Sequence, residues 1–269
     1  MRPIVPRQYG ELVTAFDAET AAARVVGALL ALADPARARQ EKRYLKSDLD
    51  FLGVSVPGIR RVVTETARSR RGLSRDDALA WARALWREPG EPGEPGRPVH
   101  ERRMAAIEVL RRHAKILEPA DLALVEAWVR ETHGWAYVDS LAADIAGTIA
   151  LRHPAAWPPI DAWATDEDFW LRRSALLTLL PGIRRGEPDQ ARFERYAAPM
   201  LAEKEFFIRK AIGWVLREIS KKDPAYVAAW TRRHLDQMSG VTFTEAVRRL
   251  PEADAARLRS TRSGVPTRG

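Results

Sequence analysis

Three segments of this 269-residue chain place chemically capable side chains at helical spacing. In residues 134–147, Trp135 and Asp139 stand four apart and share a helix face. In residues 168–180, Trp170 and Arg173 stand three apart. In residues 204–218, Lys210, Trp214 and Arg217 fall on one stripe, so an indole lies between two cations. If the three helices are parallel neighbours, indoles, guanidinium groups and one carboxylate converge on one groove. Cationic side chains grip phosphates. Indole faces attract a cationic base, worth roughly 0.5–2 kcal/mol each. A carboxylate facing a sugar stabilises positive charge developing at the anomeric carbon, as in glycoside hydrolysis. The set therefore suits a polyanion that carries a cationic base with a weakened glycosidic bond. Each residue also has a plainer role open to it: Trp135 and Trp170 as core indoles, Asp139 as compensation for a helix dipole, Arg173 and Arg217 as solvated charges.

The elements that must position these residues read as helices throughout. Ala, Leu and Arg dominate, alternating β-branched runs are absent, and Pro and Gly break the periodic segments. Residues 203–224 form the clearest amphipathic helix, with Phe207, Ala211, Trp214, Val215 and Ile219 on one stripe and Pro224 at the stop. Ser74 with Asp76 and Asp77 marks another helix start. Beyond residue 100, paired helices recur with a period of roughly 35 to 40 residues, which predicts an all-α, HEAT-like α-solenoid with a concave ligand-binding face. The expected organisation is an N-terminal extension (1–18), one repeat domain (19–250) and a partly disordered polar tail (251–269). A Glu-Pro-Gly repeat at 87–98 reads as an exposed loop inserted between helices.

Composition narrows the chemistry. The chain has no Cys, which excludes disulfides, thiolate zinc sites and cysteine-held iron–sulfur clusters. Its five His show no metal-ligand spacing, so neither metal nor cofactor is expected. A formal charge of +8 points toward an anionic partner, although arginine-rich composition alone accounts for much of it. No apolar run reaches the roughly 20 residues needed to span a bilayer. The first residues lack the apolar stretch of a secretory leader. A cytoplasmic, nucleoid-associated monomer is the expectation.

The sequence resembles the HEAT-like-repeat DNA alkylation repair proteins, the alkylpurine DNA glycosylases of the AlkD type. The likeness rests on KEFFIRKAIGWVLRE (204–218), WAYVDSL (135–141), FWLRRSA (169–175), RRMAAIEVLRRH (102–113) and RYLKSDLDFLGVSVPGIR (43–60), and it spans roughly residues 20 to 250. It departs at Gly134 and Ala136, where many relatives carry an aromatic and an acid, and in the added Glu-Pro-Gly stretch. The resemblance implies metal-free hydrolytic release of cationic bases such as 3-methyladenine and 7-methylguanine from double-stranded DNA. It implies Asp139 as the catalytic carboxylate, Trp135 and Trp214 as groove indoles flanking the sugar, Arg173 gripping the nearby backbone and Tyr44 close to the lesion. It also implies action without swinging the base into a tight pocket. DNA is expected along the concave face, held by Lys46, Arg172, Lys204, Lys210 and Arg217. The alternative is a non-catalytic solenoid that binds damaged or branched DNA, or a protein-binding scaffold with little salt-dependent affinity for DNA.

Overall fold

A computed structural model describes residues 16–68, 72–87, 97–132 and 134–263. The chain is an all-α solenoid, and no β-strand occurs among the described residues. In order, the helices are α1 (Ala18–Ala31), α2 (Pro35–Leu45), α3 (Val56–Arg68), α4 (Arg75–Trp86), α5 (His100–Arg112), α6 (Leu122–Thr132), α7 (Trp135–Asp139) and α8 (Gly147–Arg152). They continue with α9 (Trp157–Trp163), α10 (Phe169–Leu177), α11 (Leu180–Arg185), α12 (Gln190–Met200), α13 (Phe206–Ile219), α14 (Pro224–Arg233), α15 (Gly240–Val247) and α16 (Glu252–Ser263).

The starts are written in the sequence. Asp17, Asp34, Asp168 and Asp223 each accept backbone N–H groups at an N-cap, and Ser74 forms a reciprocal capping box with Asp77. These side chains satisfy the amides that a helix start leaves unpaired. Pro35 and Pro224 occupy first-turn positions, where the missing N–H costs little.

Two rows of helices result. An inner row runs α3, α5, then α7 and α8 with the residues 140–146 that join them, then α10, α13 and α15, each unit packed on the next. An outer row of α4, α6, α9, α12 and α14 is tied laterally by polar bonds. Trp86 Nε1 donates to Glu131 (2.9 Å), Trp163 Nε1 to Glu126 (3.0 Å) and Trp230 Nε1 to Glu194. Asp161 of α9 accepts from Arg192 and Tyr196 of α12. The tryptophan and tyrosine bonds let a large aromatic body sink into the core while its polar atom keeps a partner. This accounts for much of the tryptophan content. Six of the nine indoles (Trp81, Trp86, Trp128, Trp163, Trp170 and Trp230) are buried, so tryptophan abundance is chiefly a packing device.

Two expectations need correction. The helix expected over 134–147 is not uniformly α, because residues Ser140–Ala146 are π-helical between α7 and α8. The helix expected over 168–180 ends at Leu177, and α11 starts afresh with Pro181 in its first turn. The expected tail carries a helix over part of its length, Glu252–Ser263. Its helix α16 packs on α14, buries Ala255 and Leu258, and sends Arg262 to the Met238 carbonyl (2.9 Å) and over the Phe243 ring (4.5 Å). The apolar pair three apart escapes notice inside a strongly polar segment. The Glu-Pro-Gly repeat, most of the N-terminal extension and residues 264–269 lie outside the described residues.

Candidate functional site

The inner row brings one face of α7, α10, α13 and α15 around a cleft of about 540 Å³, with α2 at its edge. Of the residues singled out in the sequence, Tyr44, Trp135, Asp139, Arg173, Lys210, Trp214 and Arg217 line it. Phe206, Phe207, Glu245 and Arg248 complete the lining.

Asp139 ends α7, one turn beyond Trp135, at the junction with the π-helical stretch. A π turn inserts residues into the helical register and re-aims the side chains on either side of it. Arg173 reaches Asp139 from α10. Its Nε donates to Oδ1 (2.8 Å) and its Nη2 to Oδ2 (3.0 Å), while Nη1 donates to the Phe207 carbonyl at the start of α13 (2.6 Å). One guanidinium thus joins three inner helices. Only 3% of the Arg173 side chain is exposed, against 22% for Asp139. The resemblance implies that Arg173 grips the backbone; here it lines the cleft with its guanidinium bonded to Asp139 and the Phe207 carbonyl. It fixes the carboxylate in a two-point fork. Burial pushes the Asp139 carboxyl above its ordinary value of 3.8, and Arg173 and then Lys210 pull it back.

The aromatic walls come from three helices. Trp135 and Trp214 are half-buried, with their inner edges against the core. Tyr44, 71% exposed on α2, meets Trp135 edge-on at 6.0 Å. Its helix is held by backbone: the Asp34 N–H donates to the Leu52 carbonyl (2.8 Å), and Gly53 passes so close to Asp34 that a Cβ there would sit 2.1 Å from the Asp34 carbonyl oxygen. Glu101, wholly buried, accepts from the N–H groups of Leu52, Gly53 and Val54 (2.8, 2.6 and 3.1 Å) and locks that loop. Phe206 stands 49% exposed at the rim, with the Lys210 ammonium 5.7 Å from its ring centroid.

The remaining predicted residues distribute differently. Lys46 caps α2 in the left-handed region (φ 49°) and lines a smaller cavity of about 260 Å³ behind Trp135, together with Gly134 and Ala136. Lys204 is exposed in the turn before α13, outside the cleft. Arg172 also lies outside it. Arg172 holds Glu203 through two bonds (2.9 and 2.7 Å) and the carbonyls of Asp166 and Glu167 (2.6 and 2.9 Å), which fastens α10 to the approach of α13. Arg217 does line the cleft but is paired with Glu245 of α15. Trp170 is buried, its ring tilted against Phe207 with centroids 4.8 Å apart. Glu245 and Arg248 were missed because their link to α13 is tertiary, and spacing within 240–247 gives no sign of it.

Among the described residues, no group of three His, Asp or Glu side chains gathers to hold a metal ion. None of their helices is long and apolar enough to cross a membrane. The cleft therefore offers an oriented carboxylate, two indole walls, aromatic rims and four cations, which together suit a ligand combining phosphate with a flat, positively charged ring.

The sequence profile of one family, described as DNA alkylation repair enzyme, matches residues 25–250. A solved structure of a predicted DNA alkylation repair enzyme from Enterococcus faecalis superposes with a TM-score of 0.69 at 22% identity, covering 82% of this chain and 97% of that one. That likeness is one of fold. A search of curated protein sequences finds no match.

Proposed function

The chain belongs to the DNA alkylation repair enzyme family, and from that premise we propose that it is a monofunctional DNA glycosylase acting on cationic alkylated purines in duplex DNA. The observation that carries this reading is the meeting of Asp139, Trp135 and Trp214 in one cleft with Arg173 and Lys210.

Alkylation at a ring nitrogen such as N3 or N7 makes the purine cationic and weakens its bond to C1′. In the proposed reaction that bond breaks with its electron pair going to the purine, which leaves neutral. Positive charge develops on the sugar as an oxocarbenium-like centre. The Asp139 carboxylate faces that charge and directs a water to C1′, and the proton of the water passes to the carboxylate. The products are the free base and an abasic site. Arg173 is a positioning residue, because it acts through Asp139. Trp135 and Trp214 flank the nucleoside, and the cationic base gains from their π faces. Lys210, Arg217 and Arg248 meet the backbone, and the exposed Lys46 and Lys204 extend the phosphate track. A cleft open at its mouth does not need to admit the base into a closed pocket, which accommodates adducts larger than methyl.

The test is chromatography of bases released from methylated duplex DNA. Free 3-methyladenine and 7-methylguanine accumulating with enzyme and time is the expected result. Salt-sensitive DNA binding with no release above the spontaneous rate would replace this reading with a non-catalytic damage-binding protein.

A further inference from the structure

The cleft lining holds a second carboxylate that the reaction does not use. Glu245 lies on α15 with 18% of its side chain exposed, receives Arg217 from α13, and has Arg248 Nη1 at 3.7 Å. All three line the cleft. The arrangement is built in by close packing. Gly213 lets α15 approach until an added Cβ would lie 2.7 Å from the Glu245 Cβ, and the Thr242 hydroxyl donates to the Arg209 carbonyl (3.0 Å) to set the register. A carboxylate placed so firmly opposite a phosphate track works against binding a polyanion.

Its effect follows from charge. Four cations line the cleft (Arg173, Lys210, Arg217 and Arg248) against two carboxylates, Asp139 and Glu245. Asp139 occupies Arg173, and Glu245 occupies Arg217 and part of the field of Arg248. Among the described residues Lys210 forms no ion pair, and its charge acts on Asp139 from a distance. An undamaged backbone must therefore draw Arg217 away from Glu245 with no return for the abandoned carboxylate. A cationic base supplies that return, since it brings its own positive charge between the two acidic groups. We propose that Glu245 is a specificity-determining residue that makes engagement of the cleft conditional on a positively charged base. This rests on the glycosylase reading above.

The experiment compares affinities of wild type, Glu245→Gln and Glu245→Asp for two duplexes across a salt series. One duplex is undamaged. The other carries a 7-methylguanine whose sugar bears a 2′-fluorine to slow bond cleavage. For Glu245→Gln, affinity for the undamaged duplex should rise roughly three- to tenfold, and its salt dependence should steepen by about one phosphate contact. The preference for the methylated duplex should fall about tenfold, since attraction to the cation is lost as the phosphate grip is gained. Glu245→Asp keeps the charge and should hold the wild-type preference within about threefold, which a loss of packing would not do. An unchanged preference in Glu245→Gln, or weaker binding to the undamaged duplex, overturns the assignment while leaving the glycosylase reading intact. A wild type with no preference for the methylated duplex likewise overturns the assignment, whereas the glycosylase reading falls only if no base is released.

Discussion

Arg173, almost wholly buried, donates to both carboxylate oxygens of Asp139, and the carboxylate is the only member of the pair with appreciable exposure. The guanidinium belongs to the scaffold and the carboxylate to the cleft. Breaking such a pair by removing one partner leaves the other charge uncompensated, at a cost of about 3–5 kcal/mol for a fully buried pair and less here, where Asp139 is partly solvated.

Arg173→Gln should therefore lower stability by about 2–4 kcal/mol and base release by at least about a hundredfold, because the carboxylate loses its orientation as well as its partner. Arg173→Lys keeps the charge but not the fork and should recover stability more than rate. Denaturant melts alongside single-turnover release separate the two. Equal recovery of both by Lys would reduce Arg173 to a point charge.

The acid limb of the rate should report Asp139. Burial raises its carboxyl above 3.8, and only the anion stabilises the sugar cation, so release should fall about tenfold per pH unit below a midpoint above that value. The stability consequence runs the other way. A carboxylate with a raised folded-state pKa binds its proton more tightly in the folded chain, so its contribution declines as pH rises from 3.8 through the raised value and is constant above it. A pH–rate profile with no limb above pH 4 would contradict the assignment.

Stability in mild acid should be governed by His100. It is buried, stacked on Phe51 at 4.6 Å and bonded to the Tyr137 hydroxyl at 2.5 Å, and burial holds its pKa down to about 4 from 6.5. The unfolded chain binds this proton first, so stability is full above pH 6.5 and is lost as pH falls from 6.5 to about 4. The loss should reach about 3 kcal/mol. Denaturant midpoints measured across that range, compared with His100→Gln, should show the slope in the wild type alone.

The two indole walls should behave as ligand contacts with modest structural cost. Trp214→Ala and Trp135→Ala should each weaken binding of a methylated duplex by about 0.5–2 kcal/mol while leaving affinity for undamaged duplex within about twofold. By contrast, Trp163→Ala, which empties a buried position on the outer row, should destabilise the fold by about 3–5 kcal/mol. Melting curves and fluorescence titrations distinguish the cases.

How much of this was readable in the sequence depends on whether the signal is local. The helix start at Ser74 was legible because capping is a matter of three or four adjacent residues. The gathering of Asp139, Trp135, Trp214 and Lys210 was legible because each falls on a face set by helical spacing, and the repeat stacks those faces. The role of Arg173 was not. An arginine on an inner helix looks the same whether it meets phosphate or a neighbouring aspartate, and only the depth of its burial decides. The ion pairs of Arg172 and Arg217 were hidden on the same ground, since their acidic partners Glu203 and Glu245 lie 31 and 28 residues away. The π-helical register after Asp139 leaves no mark in spacing, and Glu245 entered the cleft through packing at Gly213.

The central claim is that the Asp139 carboxylate drives base loss, and single-turnover release of 7-methylguanine by wild type and Asp139→Asn tests it most directly. The variant keeps the shape of the side chain and one acceptor for Arg173 but has no negative charge. The account predicts that release falls by about two to three orders of magnitude while affinity for undamaged duplex is kept or improved. Release by Asp139→Asn at the wild-type rate would contradict it.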